Sequence, residues 1–469
     1  MLLLDTVRAS ALGEPGLCNI NKMAKAGTTY TNVVAPGTWT APSHAALFTN
    51  NRVSKIRGVS RDFFTNGTRK IDPWKTKTRF LDPGSETIAR RISALGYQSA
   101  LFSNNPFLTS LTNLGAGFDN IYDVWLRSNL KYNKGLVERL SFIIDGGADA
   151  RELMFRASYT LTRLLPKKYM DRLYLHLRQR LNNGVSNADG TYRLDRGAAD
   201  TSRELKNYLD YRYNYMPQFI FINYMEAHEN YPVSRRKQIV QDKWLYLSGI
   251  RELDGPTRKE LYKGYLKRIR YLDRSIGNTL DLAKERGLLD NATVVITSDH
   301  GQLFGEHGLL YHSQMPYEEV VKVPLIAANY SNGKMVSAGA RVDDTVSLNA
   351  LHGSLFDLAS GRRDHLNGNV KRNGYVFSEH MGISEGWDEG LLKLLKSRSK
   401  SAELVYNAKR RCNAKAVAVY RKEMKLMHYF GKRGDELYDL SRDPGESDNI
   451  IARNRSVALE LARQASASA

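Results

Sequence analysis

Three apolar runs of this chain end in side chains that bind cations or move protons. Leu2-Leu3-Leu4 runs into Asp5, "FIFINYM" runs into Glu226 and His228, and "TVVITS" runs into Asp299-His300-Gly301. Oxygen and nitrogen donors of this kind suit one divalent cation such as Mn²⁺, Ca²⁺, Zn²⁺ or Mg²⁺. The plainer reading makes Asp5 and Asp299 turn carboxylates and His300 a core histidine. A glycine-flanked "GEHG" (Glu306, His307) and then His312 follow closely, and His312 is placed to protonate a leaving group. His307 reads equally well as a structural loop residue, and His228 either contacts an anionic oxygen or belongs to a surface polar pair.

A fourth stretch, "PGTWTAPSHAALFTN" from Pro36 to Asn50, sets Thr40 beside a proline that starts a helix. Helix N-termini offer N–H groups and a positive dipole end to a tetrahedral anion. A hydroxyl there needs a metal or a base to become a nucleophile. Threonine before Pro is more commonly just a helix cap.

The elements that must position these residues are an alternation of strands and helices. Strands are predicted at Met1 to Leu4, Gln98 to Phe102, Gln218 to Asn223, Thr293 to Thr297 and Val323 to Ala327, with a Ser-capped helix from Ser85 closing at Gly96. That order predicts a doubly wound α/β core with a large, mostly parallel sheet flanked by helices. Ligands then bind outside the carboxyl ends of the strands, where the polar residues fall. Only Met1 to Leu4 precede Asp5, so the first strand is expected to lack part of its length.

The 469 residues, with 42% hydrophobic and 25% charged side chains, allow a sizeable core. A net charge of +20 and a pI near 9.7 fit anionic partners. No zinc-finger spacing, RNA-binding aromatic signature or lysine tail argues for nucleic acid. Two distant cysteines, Cys18 and Cys412, suggest neither a disulfide framework nor a metal site. The absence of a long apolar run and of a signal-peptide pattern predicts a cytoplasmic protein. Residues 125–215 read as a basic helical insertion; within it 157–181 is a basic amphipathic pattern, either a cap on the core or a peripheral contact with an anionic membrane. A catalytic domain is expected over 1–360 and a small α+β subdomain over 361–469.

Taken in order, "LLLDTVRAS", "APGTWTAPSHAALFTN", "LGYQSALFSNN", "GAGFD", "NYMEAHENY", "YLDRSIGNTL", "DNATVVITSDHGQLFGEHG", "YEEVVKVPLI" and "DELYDLSRDPGESDNI" resemble the sulfatase branch of the alkaline phosphatase superfamily. The resemblance implies an α/β sandwich with a metal at the strand ends. It puts Asp5, Asp299 and His300 on metal ligands and Thr40 on the nucleophile, which also touches the metal. His228 falls on a histidine contacting the transferred group, and His312 near the residue facing the leaving group.

The chain departs from that pattern in four places. Thr6 stands where a second acid is frequent, and His300 where calcium sulfatases have Asn. His44 replaces the arginine of the Cys/Ser-x-Pro-x-Arg frame, and Thr40 replaces the Cys or Ser that is oxidised to formylglycine, so no formylglycine is expected. A sulfated threonine lacks the second hydroxyl through which a hydrated aldehyde expels sulfate, whereas a phosphothreonine is open to attack at phosphorus. The expected activity is therefore hydrolysis of phosphate mono- or diesters, with an anionic ester on a polymer or lipid headgroup as substrate. The alternatives are a true sulfatase, a phosphoglycerol-type transferase like lipoteichoic acid synthase, which shares threonine with Asp-His, and an inactive binding protein on the same fold.

Overall fold

The computed structural model describes residues 1–56, 80–125 apart from 83, 110 and 111, 194–363 apart from positions 213–214, 232, 235–237, 240–241 and 337, and 374–382 with 414–466 apart from 432. Segment 157–181 and most of the basic insertion lie outside the described residues.

In chain order the strands are β1 (Leu2–Leu4), β2 (Thr28–Val34), β3 (Gln98–Ser103), β4 (Asn120–Tyr122), β5 (Gln218–Tyr224), β6 (Asn291–Thr297), the short pair β7 (Leu303–Phe304) and β8 (Leu310–Tyr311), β9 (Lys322–Ser331), β10 (Lys334–Met335) and β11 (Ala340–Ser347). All but β7 and β8 form a nine-stranded sheet in the order β11-β2-β9-β6-β1-β5-β3-β4, with β10 on β9. β1 pairs in parallel with β5 and β6, and β3 with β4 and β5, while β9 runs antiparallel to β2, β6 and β10.

The sheet separates two apolar layers because successive side chains of a strand point to opposite faces. Leu3, Leu101, Phe221, Val295 and Leu325 face one layer, packed with the helix Thr40–Thr49. Leu2, Leu4, Phe102, Ile222 and Ile296 face the other, packed with the helix Gly255–Glu285. β1 is buried on both faces, so its short run of leucines lies at the centre of the sandwich.

The predicted strands are found, some of them longer than expected. The helix predicted from Ser85 is shorter: it runs Ile88–Ser93 and is capped by Thr87, whose Oγ1 accepts from Arg90 N at 3.3 Å, not by Ser85. Thr87 wins because its hydroxyl also donates to Ala116 O at 2.6 Å, which anchors the cap to a neighbouring loop.

A second, antiparallel sheet follows: β12 (Val376–His380), β13 (Lys415–Arg421), β14 (Met424–Phe430) and β15 (Glu436–Asp439), covered by the helix Arg455–Ser466. It is locked to the larger sandwich by Lys425, a fully buried ammonium whose Nζ donates to Pro316 O at 2.7 Å and lies 2.9 Å from Glu318 and 2.7 Å from Glu446. Replacing only the cation strands buried carboxylates, so Lys425→Met is expected to cost about 3–5 kcal/mol in urea unfolding. A loss below about 1 kcal/mol would mean that this ion group is not what holds the two sheets together.

Candidate active site

The predicted residues at the ends of β1 and β6, together with Thr40, converge at the carboxyl ends of the central strands of the main sheet. Thr40 is the first residue of its helix, but its side chain is not the cap. The N-cap position belongs to Trp39, which makes no side-chain capping bond. Thr40 Oγ1 instead lies 3.4 Å from Asp5 Oδ2, 3.4 Å from His300 Nε2 and 3.4 Å from Asn105 Nδ2. The hydroxyl that sequence alone left ambiguous is therefore turned away from its own helix and into the cluster.

Asn105, at the end of β3, was not singled out in the sequence. Its Oδ1 accepts from Phe107 N at 2.8 Å, which fixes the amide so that Nδ2 donates to Asp5 Oδ2 at 2.7 Å. "SNN" reads as ordinary turn residues; the available signal was its place at a strand end beside the others.

Asp299 Oδ1 accepts from His300 N at 3.0 Å and Thr6 N at 3.4 Å. His300 Nδ1 donates to Gly301 O at 3.0 Å, which leaves a lone pair on Nε2, 3.4 Å from Asp299 Oδ2 and 3.8 Å from Asp5 Oδ1. Gly301 is required here, because a Cβ would collide with the Glu319 carbonyl oxygen. Its N–H also donates to Val320 O at 2.6 Å, pinning the loop after β6 to the segment before β9.

Asp5 Oδ1 and Asp299 Oδ2 are buried without a hydrogen-bond partner. Burial, then the charge of Asp299, raises the Asp5 carboxyl well above its usual range, and burial pushes Asp299 up to about 7. Two orphaned carboxylate oxygens, an imidazole lone pair and a hydroxyl are the donor set of a divalent cation, and Asp5, Asp299 and His300 each offer an atom within 4.8 Å of the others'.

A second group stands beside the first. His312 packs at a tilt against His300, with ring centroids 4.5 Å apart, and meets His228 at 5.0 Å. His312 Nδ1 donates to Gln302 Oε1 at 2.6 Å, so Nε2 is its free nitrogen. Glu229, which sequence reading passed over for its neighbours, has Oε2 3.0 Å from His228 Nδ1 and 3.7 Å from His312 Nδ1. Burial opposes its ionisation, yet His228 and Lys243, the latter 3.2 Å away, hold its carboxyl well below the usual range. These three residues also meet the spacing for a cation, but their carboxylate is already engaged by Lys243 and by Gln302 at 3.3 Å.

The other candidates are placed elsewhere. Glu226 turns to the helix Ala198–Tyr211, its Oε1 accepting from Arg196 N at 3.1 Å and Ala198 N at 2.9 Å. His307 stacks on Tyr317 at 3.7 Å and faces Glu319 at 3.2 Å, and Glu306 pairs with Arg8 at 2.9 Å. His44 is fully buried between Phe48 and Phe221; its Nδ1 donates to Thr40 O at 2.9 Å and lies 3.6 Å from Asp299 Oδ2. His380, from β12, was also missed. Its Nδ1 sits 3.0 Å from Thr38 Oγ1, so the second sheet braces the loop that carries Thr40.

The sulfatase family model matches residues 3–361. The chain belongs to the sulfatase family. It is 27% identical over 237 residues to an N-acetylglucosamine-6-O-sulfatase of Bacteroides thetaiotaomicron, covering 46% of this chain and 38% of that protein. To an arylsulfatase of Clostridium perfringens it is 25% identical over 196 residues, 41% of this chain and 36% of that one. The matched segments thus span less than two-fifths of these relatives' own length. Among solved structures, a phosphonate monoester hydrolase of Agrobacterium radiobacter superposes with a TM-score of 0.59 at 16% identity, covering 100% of this chain and 94% of the other. A 2-O GAG sulfatase superposes with a TM-score of 0.60 at 16% identity, covering 99% and 89%. This sulfatase-family chain shares their fold, and among its described residues no helix is long and apolar enough to cross a membrane.

If Asp5 and Asp299 need a cation, adding Mn²⁺ to metal-stripped protein should raise its stability by about 2.7 kcal/mol at a hundredfold excess over the dissociation constant. Asp299→Asn should abolish that gain in thermal unfolding. An equal gain in the variant would remove Asp299 from the ligand set.

Proposed function

We propose that this sulfatase-family chain is a metal-dependent hydrolase of phosphate mono- or diesters with Thr40 as its nucleophile. The observation that carries the reading is the Thr40 hydroxyl, freed from capping and set at 3.4 Å from Asp5 Oδ2 and from His300 Nε2 at the end of a buried helix. Threonine yields no formylglycine, so a covalent intermediate on it is an ordinary ester of that hydroxyl. Such an ester is hydrolysable at phosphorus.

Asp5, Asp299, His300 and Thr40 would hold the divalent cation, which when bound lowers the hydroxyl's pKa and draws charge from the transferred group. Asp5 Oδ2 is the acceptor for the proton that Thr40 loses on attack. As the Thr40 Oγ–P bond forms, the P–O bond to the alcohol breaks, and His312 Nε2 gives the departing oxygen its proton. Water then attacks phosphorus and gives a proton to His312 Nε2, the Thr40 Oγ–P bond breaks as Asp5 returns its proton to Thr40, and phosphate or a phosphomonoester is released.

His228 would contact a non-bridging oxygen of the transferred group. Burial lowers both histidines, His228 to about 4, so an anionic ester is what draws a proton onto them, and ionised Glu229 offsets the resulting charge. His44 acts from behind, its Nδ1 holding the Thr40 carbonyl in the first turn of the helix.

The names of the relatives favour sulfate esters as the second reading. Parallel assays on aryl phosphate, bis-aryl phosphate and aryl sulfate with Mn²⁺ separate the two. Phosphoester turnover should predominate, fall by about a thousandfold or more in Thr40→Ala, and survive in part in Thr40→Ser. Sulfate turnover alone would overturn the preference for phosphorus; unchanged activity of Thr40→Ala would overturn the nucleophile.

A further inference from the structure

The helix Gly255–Glu285 carries a row of cations that the site does not use. Lys259, Lys263, Lys267 and Arg274 are exposed and Arg270 is half-buried. At about 100° per residue they fall within an arc of about 80°, spread over about 22 Å of helix. Among the described residues none of the five makes an ion pair; Arg270 Nε donates to Pro15 O at 3.1 Å, and Arg274 lies 5.6 Å from the Tyr271 ring. The first acid of the helix on the same arc is Asp281.

Like charges at these spacings oppose helix formation by about 0.2–0.5 kcal/mol per pair. Lys259 with Lys263, Lys263 with Lys267, Lys267 with Arg270 and Arg270 with Arg274 are all such neighbours. The repulsion is relieved when a linear polyanion lies along the row and releases its counterions.

We propose that this face is a binding site for an acidic polysaccharide, distinct from the Thr40 site. It lies across the helix from Tyr265, whose hydroxyl donates to Thr6 O at 3.0 Å behind the row. Three features select the partner. The helix's apolar side chains, Leu261, Leu266, Ile269 and Ile276 among them, are sealed in the core, so no apolar face is left to enter a bilayer. Tyr271 borders the arc at Arg274, but no row of rings runs along it to stack on successive bases. The far end of the row opens on a polar hollow of about 290 Å³ lined by Asn19, Tyr271, Arg274, Asn278 and Asp281, groups that pair with sugar hydroxyls. The site goes beyond the proposed hydrolysis and binds whether the ester cleaved at Thr40 is phosphate or sulfate.

The test uses the full chain on immobilised dextran sulfate, with a phosphatidylglycerol vesicle and a DNA duplex as competing probes. The wild type should bind dextran sulfate most tightly. Combined replacement Lys259→Gln, Lys263→Gln, Lys267→Gln and Arg274→Gln should weaken binding by about tenfold or more at low salt and flatten its salt dependence. The variant should unfold at the same or a slightly higher temperature and should turn over a small aryl ester like the wild type. A wild type that does not bind, a variant that binds equally, or a preference for vesicle or DNA overturns the site. Because binding is read separately from turnover, loss of this proposal and loss of the proposed hydrolysis are distinguishable.

Discussion

Two carboxylates buried at neighbouring strand ends, each with an oxygen that nothing in the protein satisfies, set the terms for the rest of the site. Burial makes both resist ionisation, and the charge of Asp299 adds to this at Asp5. The surrounding donors relieve only half of each group. Asn105 binds one oxygen of Asp5, and the Thr6 and His300 amides bind one oxygen of Asp299. The remaining oxygens, with His300 Nε2 and the Thr40 hydroxyl, are left to a cation.

That constraint reaches into the fold. β1 must lie centrally between β5 and β6 for Asp5 and Asp299 to meet, and Gly301 must bring the backbone against the segment before β9 for His300 to turn its lone pair inward. Thr40 comes from the layer of Leu3 and Phe221, on a helix whose leading loop is held from outside the main sheet. Ser313 N donates to Thr38 O at 2.9 Å, and His380 sits against Thr38 Oγ1. The residues after His312 and the end of β12 thus fix the same loop, which ties the position of His312 to that of Thr40.

Much of the site was legible because a buried parallel strand is an apolar run, and a polar residue where it stops has few reasons to be there. Asp5, Asp299 and His300 follow from that rule, and Thr40 from its conflict with the cysteine or serine of the family. Glu226 illustrates the limit. It also ends an apolar run, yet it serves the N-terminus of Ala198–Tyr211, while Glu229 three residues later faces the histidines. Sequence order cannot decide which way a loop carboxylate turns. β2 and β11 escaped notice because "TTYTNVV" and "ARVDDTVS" are mixed in polarity; the sheet edge, where they pair with each other, tolerates that pattern. Asn105 and His380 act through hydrogen bonds to distant parts of the chain, which no local pattern encodes.

The proposed hydrolysis requires a covalent bond to Thr40. The direct measurement is the mass of the intact chain, acid-quenched during turnover of an aryl phosphate with Mn²⁺, followed by fragmentation. One added phosphoryl group on the peptide containing Thr40, absent from Thr40→Ala, is the expected result. Turnover at full rate with the chain never modified would contradict it, leaving water as the attacking group and Thr40 as a ligand only.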